Sequence, residues 1–196
     1  MLTRALLILC FASTSLLGFT QISGSENDAN TAMRRFVSIF PFEDGKSLNF
    51  QASVEHINFY ITGVVVAKMM GDTVKGVFMN EFGIKVFEFE VLRGRCRLMQ
   101  VLDIFDKWYF RKTIRNDFAF IFTVLEKPSE AVGVYEFPFR GEKNVYRYRF
   151  EHEKIATLLR IEKGKTTAVL ECGSDSVFTF RNTDRNISYK FNIVPK

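Results

Sequence analysis

Between Asn49 and Glu55 apolar and polar residues alternate, Phe50, Ala52 and Val54 against Asn49, Gln51, Ser53 and Glu55. A two-residue period predicts a strand with one wet face. Residues Phe59 to Lys68 are apolar on both faces, Gly71-Asp72 marks a turn, and Val74 to Met79 predicts another strand. The turn Asn80-Glu81-Phe82-Gly83 leads into Ile84 to Val91, where Phe87 and Phe89 share one face and Glu88 and Glu90 take the other. Arg93-Gly94-Arg95 makes the next turn, before a strand over Cys96 to Leu102. Short strands joined by tight turns describe an antiparallel meander.

Two segments keep a different period. Ala29, Ala32, Met33, Phe36, Val37 and Phe40 recur at three- and four-residue steps, which predicts an amphipathic helix over Asp28 to Phe40, capped by Asn27 or Asp28 and stopped by Pro41. Phe110, Ile114, Phe118, Ile121, Phe122 and Leu125 repeat that spacing, with Arg111, Lys112, Arg115 and Asn116 opposite, and predict a second helix within Asp106 to Leu125. From Ala131 onward the period returns to two. Val145 to Phe150, Lys154 to Glu162 and Thr166 to Glu171 read as strands, and Val177 to Arg181 with Ile187 to Val194 as a closing hairpin.

The elements add up to an α+β domain of about nine to eleven strands, a large and strongly curved antiparallel sheet with helices packed against its concave face. No internal repeat or low-complexity tract interrupts it.

The first 20 residues stand apart. Arg4 precedes an apolar run from Ala5 to Phe19, the length of a signal-peptide core, and Gly18-Phe19-Thr20 offers the small residues a signal peptidase needs. The expectation is an exported protein, with residues 1–20 removed and 21–196 forming one domain. Cys10, after Leu7-Ile8-Leu9, is a lipidation candidate, although a small residue normally precedes such a cysteine. Cys96 and Cys172 are free to pair in an oxidising compartment or to remain two separate thiols.

The formal charge of +5 is spread along the chain and does not suggest nucleic acid as a partner. Arginines alternate in Arg93-Arg95-Arg97 and Arg147-Arg149, a pattern that suits either lipid headgroups or the solvated face of a sheet. His56 and His152 each sit beside glutamate but lack the spaced partners of a metal site. Gly164-Lys165-Thr166 lacks the upstream glycine of a phosphate-binding loop, and the sequence contains neither a G-x-S-x-G nor a C-x-x-C motif. The chain is therefore read as a non-enzymatic monomer without metal or cofactor.

Phenylalanine is the remaining signal: 22 residues, against six Tyr and one Trp. Aromatic surface without hydroxyl or N–H handles belongs inside. There it either fills a core or lines a cavity that a wide curved sheet leaves open.

The runs Ile61 to Lys68 (ITGVVVAK), Val77 to Phe89 (VFMNEFGIKVFEF), Phe178 to Asn182 (FTFRN) and Tyr189 to Ile193 (YKFNI) resemble the lipoprotein-localisation-like superfamily of Gram-negative envelopes, the LolA/LolB-like fold, and within it an uncharacterised exported group. The resemblance implies a helix-lidded half-barrel, an incomplete β-barrel, in the periplasm or on the periplasmic face of the outer membrane, whose concave apolar face receives acyl chains of a lipoprotein or other lipid, with membrane association. Phe50, Phe59, Ile61, Val65, Phe78, Phe87 and Phe89 on the sheet and Phe110, Ile114 and Phe118 on the lid are the candidate ligand-binding residues. The alternative is a structural or protein-interaction component of the envelope with a filled core. A void lined by Phe favours the first and a solid interior the second.

Overall fold

The computed structural model describes residues 36–43, 45–57, 59–141, 143–174 and 176–195. The signal segment, Cys10 and residues 28–35 of the first expected helix lie outside them. Thirteen strands follow in chain order: β1 (Phe36–Val37), β2 (Ser47–His56), β3 (Phe59–Met70), β4 (Thr73–Asn80), β5 (Lys85–Leu92), β6 (Arg95–Met99), β7 (Leu125–Glu126), β8 (Gly133–Pro138), β9 (Asn144–Glu151), β10 (Lys154–Glu162), β11 (Lys165–Ser174), β12 (Val177–Asn182) and β13 (Ile187–Ile193). A 3₁₀ turn (Asp103–Phe105) and helix α1 (Trp108–Ile121) separate β6 from β7.

Eleven strands form one open antiparallel sheet in the order β6-β5-β4-β3-β2-β13-β12-β11-β10-β9-β8, and β1 pairs with β7 as a separate two-stranded ribbon. Only the β2–β13 pairing departs from a meander, because the last strand returns to lie beside the first long one.

The curvature follows from what the helix touches. Phe118 packs against Phe87 and Phe89 on β5 and Tyr189 on β13, while Phe120 packs against Tyr146 on β9 and Phe180 on β12. Strands β5 and β9 lie eight places apart in the sheet order, roughly 38 Å if the sheet were flat, and a helix is only about 10 Å across. One helix reaches both because the sheet wraps around it. Gly94, in the β5–β6 turn, comes close enough to β9 that a Cβ there would sit 3.2 Å from the Tyr146 ring. The two sides of the sheet thus nearly meet at that end.

The first expected helix is corrected where it is described. Phe36–Val37 is extended and pairs with Leu125–Glu126, and Val37, Ile39 and Phe40 are buried. Apolar residues close together before a proline fit a short strand as well as a helix, and pairing with the segment after α1 decides the matter. Among the described residues one α-helix stands where two were expected. Its C-terminal half is sunk into the core, with Phe118, Ala119, Phe120 and Ile121 at most 2% exposed.

Cys96 on β6 and Cys172 on β11 are not joined to each other; seven places in the sheet order separate their strands. Burial pushes the Cys96 thiol up to about 12, against a smaller pull from Arg115. The arginine alternation on β9 is ion-paired on the outer face: Arg147 with Glu136 at 2.6 Å and Arg149 with Glu151 at 3.2 Å.

Candidate functional site: an apolar cavity beside the helix

The core has two parts. In one, the rings of Phe40, Phe50, Phe122, Phe178 and Phe191 interlock, with Phe40 centroids 4.9 Å from Phe50, 5.1 Å from Phe122 and 4.8 Å from Phe178. In the other, between β2–β5, β13 and the first half of α1, the side chains line a partly open cavity of about 490 Å³.

Two glycines let aromatic rings lie along the sheet, Gly63 under Phe78 at the cavity wall and Gly76 under Phe89 behind it. Phe78 is cross-strand from Val65 and leans over Gly63, where a Cβ would sit 3.0 Å from its Cζ and run into the Met79 carbonyl. Phe89 is cross-strand from Gly76 and lies over it, 2.5 Å from where a Cβ would be. A glycine in a strand costs packing, but here it lets an aromatic ring lie down along the sheet instead of standing up from it. Ala52, cross-strand from Gly63, adds another small residue to the same wall.

A bulge shapes the other side. The β4–β5 register shifts between Phe78 and Met79, so that Val86 and Phe87 are both buried, and Val86 joins Phe87 in lining the cavity. The backbone carbonyl of Val86 accepts a hydrogen bond from Leu102 N–H at 2.8 Å, which ties the segment leading into α1 to this wall.

Helix α1 is held by its buried end. Asp117, fully buried, accepts hydrogen bonds from Asn182 Nδ2 at 2.8 Å and Tyr189 O–H at 3.1 Å, and Arg160 lies 3.8 Å away. Burial raises the Asp117 carboxyl above the usual carboxylate range, and Arg160, Asn182, Tyr189 and Arg185 pull it back down. The Arg160 guanidinium donates to Thr167 Oγ1 at 3.1 Å and sits over the Phe120 ring. These contacts anchor the helix to β10, β12 and β13 behind the cavity. Its first turn has neither a side-chain cap nor an acidic residue, and Trp108 and Tyr109 are 75% and 60% exposed.

Of the residues predicted as ligand-binding, Ile61, Val65, Phe78, Phe87, Phe110, Ile114 and Phe118 line the cavity. Phe50 does not, being locked into the filled half of the core; Phe89 is fully buried against Phe118 and Phe122 behind the wall. The Phe59 side chain lies outside the description. Residues not predicted as ligand-binding join the lining, among them Val54, Tyr189 and Phe191 from β2 and β13, and the polar His56, Thr113 and Arg185. The period-two pattern carried a signal for Val54, Tyr189 and Phe191. Arg185, in a turn, had none.

Exposed apolar side chains stand on segments adjacent in sequence to the lining residues. The β4–β5 turn, directly beyond Phe78 and Val86, carries Phe82 and Ile84, and the approach to α1 carries Ile104, Trp108 and Tyr109. The sequence alone did not identify a loop with an apolar tip; here Phe82 is 80% exposed. Among the described residues no helix is long and apolar enough to cross a membrane, and no group of His, Cys, Asp and Glu is placed to hold a metal ion.

Neither a family model nor a curated protein sequence matches the chain. Solved structures with a similar arrangement include a domain described as an outer membrane lipoprotein-sorting protein from Vibrio parahaemolyticus, 8% identical, TM-score 0.39, over 76% of this chain and 83% of that one. A DUF1329 family protein from Desulfovibrio piger is 8% identical, with TM-score 0.37 over 86% of this chain and 90% of that one. Likeness at these scores carries no weight for function, which rests on the cavity itself.

Proposed function

We propose that the protein binds an acyl chain of a lipid or lipoprotein in the cell envelope, without chemistry, by enclosing it between the curved sheet and helix α1. The observation that carries this reading is the open apolar cavity of about 490 Å³, within the ~300–1,000 Å³ range of pockets that bury a small ligand. Each buried methylene contributes about 0.8 kcal/mol, so ten give ~8 kcal/mol before the costs of association.

The uncapped start of α1 is the part that opens. Its anchored end keeps the wall in place while Trp108, Tyr109 and Phe110 swing clear. Phe82, Ile84, Ile104 and Trp108 form the face that meets the membrane, so that a chain passes from bilayer to cavity with little exposure to water.

The test is extraction and mass spectrometry of protein purified without detergent, with titration of a fluorescent fatty acid. Co-purifying lipid and saturable binding are expected. An empty protein that leaves the probe's emission unchanged contradicts the reading and favours a structural or docking role for the exposed face.

A further inference from the structure

The cavity is apolar except at its solvent-exposed edge, where the partly exposed Arg185, Thr113 and His56 line it. Arg185 belongs to the β12–β13 turn and is half-buried, and its Nη1 donates to Thr113 Oγ1 on α1. The neighbouring Arg160 is matched by carboxylates, Asp117 at 3.8 Å and Glu162 at 3.6 Å. Among the described residues, no ion pair forms at Arg185, and one hydrogen bond occupies one of its five N–H donors. Asp117 feels its charge but points toward Asn182 and Tyr189, away from ion-pair contact. A guanidinium fork is thus held at the exposed edge of an apolar cavity, fixed from two elements and without an anion.

Volume limits what lies behind it. Taking a methylene as about the size of a water molecule, ~30 Å³, about 490 Å³ holds about sixteen of them, one acyl chain rather than two. We infer that the cavity is built for a single-chain anionic amphiphile, its chain against Phe78, Phe87 and Ile114 and its carboxylate or phosphate head on the Arg185 fork, with the Thr113 hydroxyl as a further donor. This rests on the acyl-binding reading and adds to it a head-group preference. An acyl chain alone has no use for Arg185, whereas an anionic head pairs with a cation that has no carboxylate of its own.

The experiment is displacement of the uncharged dye N-phenyl-1-naphthylamine by palmitate, by hexadecanol and by palmitoyl lysophosphatidate, in wild type, Arg185→Gln and Arg185→Lys. The wild type is expected to prefer an acid over the alcohol by roughly ten- to a hundred-fold, the range for a hydrogen-bonded charge. Arg185→Gln should erase that preference while leaving hexadecanol unchanged, and Arg185→Lys should keep part of it. The tighter of palmitate and lysophosphatidate identifies a carboxylate or a phosphate as the natural head. Hexadecanol binding as well as both acids in wild type, or a preference that survives in Arg185→Gln, overturns the inference and leaves acyl binding standing. Failure of all three to displace the dye overturns both.

Discussion

Phe78 on β4 and Phe87 on β5 face each other across the sheet and stack, ring centroids 5.4 Å apart and planes 26° from parallel. The pair is a wall and not a filling, because Phe78 lies over Gly63 and both rings border the cavity. Phe50, in the same inward-facing row through Val65, packs instead against Phe40, Phe122 and Phe191.

That difference predicts unequal costs. Phe50→Ala opens a new void in a packed cluster and should cost ~3–5 kcal/mol. Phe78→Ala enlarges a void that already exists and gives up fewer contacts, so it should cost at least about 1 kcal/mol less. Urea unfolding of the two variants measures this, and equal costs would mean that the cavity wall is packed as tightly as the core.

Helix α1 should be stable at one end only. Amide hydrogens near Ile114 to Ile121, behind the Asp117 anchor, are expected to exchange slowly and those of the first turns quickly. A bound acyl chain should slow the first turns selectively. Uniform protection along the helix without ligand would contradict a gate at that end.

Asp117 gives a pH dependence with a definite sign. Its folded carboxyl is raised above 3.8, burial outweighing Arg160, Arg185, Asn182 and Tyr189, so the folded state holds the proton more tightly than the unfolded chain. Its contribution to stability is full below the unfolded value and is lost as pH rises through the folded one. Asp117→Asn lacks this loss. The stability of the variant minus that of wild type should therefore grow as pH rises above about 4. Urea unfolding at a series of pH values reads the slope, and a difference that shrinks with pH would show that the Arg160 partnership outweighs burial.

Cys96 should resist alkylation while folded. A thiol pushed from 9.0 up to about 12 has roughly a thousandfold less thiolate at pH 8, and the rate with iodoacetamide should fall with it. Alkylation of native protein at the rate of unfolded chain would show that Cys96 is not shielded.

The meander was legible because period-two alternation and turn glycines both mark it; Val145 to Phe150 and the β4–β5 hairpin are where predicted. The start of the described chain was not, since Phe36 and Val37 take their conformation from pairing with Leu125 and Glu126 across the molecule. Within the cavity, composition could not separate Phe78 and Phe87, which border space, from Phe50 and Phe89, which do not. What separates them is which glycine or ring each one meets. Arg185 and Thr113 meet from 72 residues apart, a distance at which no spacing rule applies.

The most direct measurement is the stoichiometry of fatty-acid binding to wild type and to Ala52→Trp, whose added ring would occupy the cavity beside Gly63. Saturable binding of one chain per protein is expected, with its loss in a variant that unfolds in the same cooperative way as wild type. A wild type that binds no fatty acid, or a folded Ala52→Trp protein that binds it as well as wild type, would contradict acyl binding in this cavity.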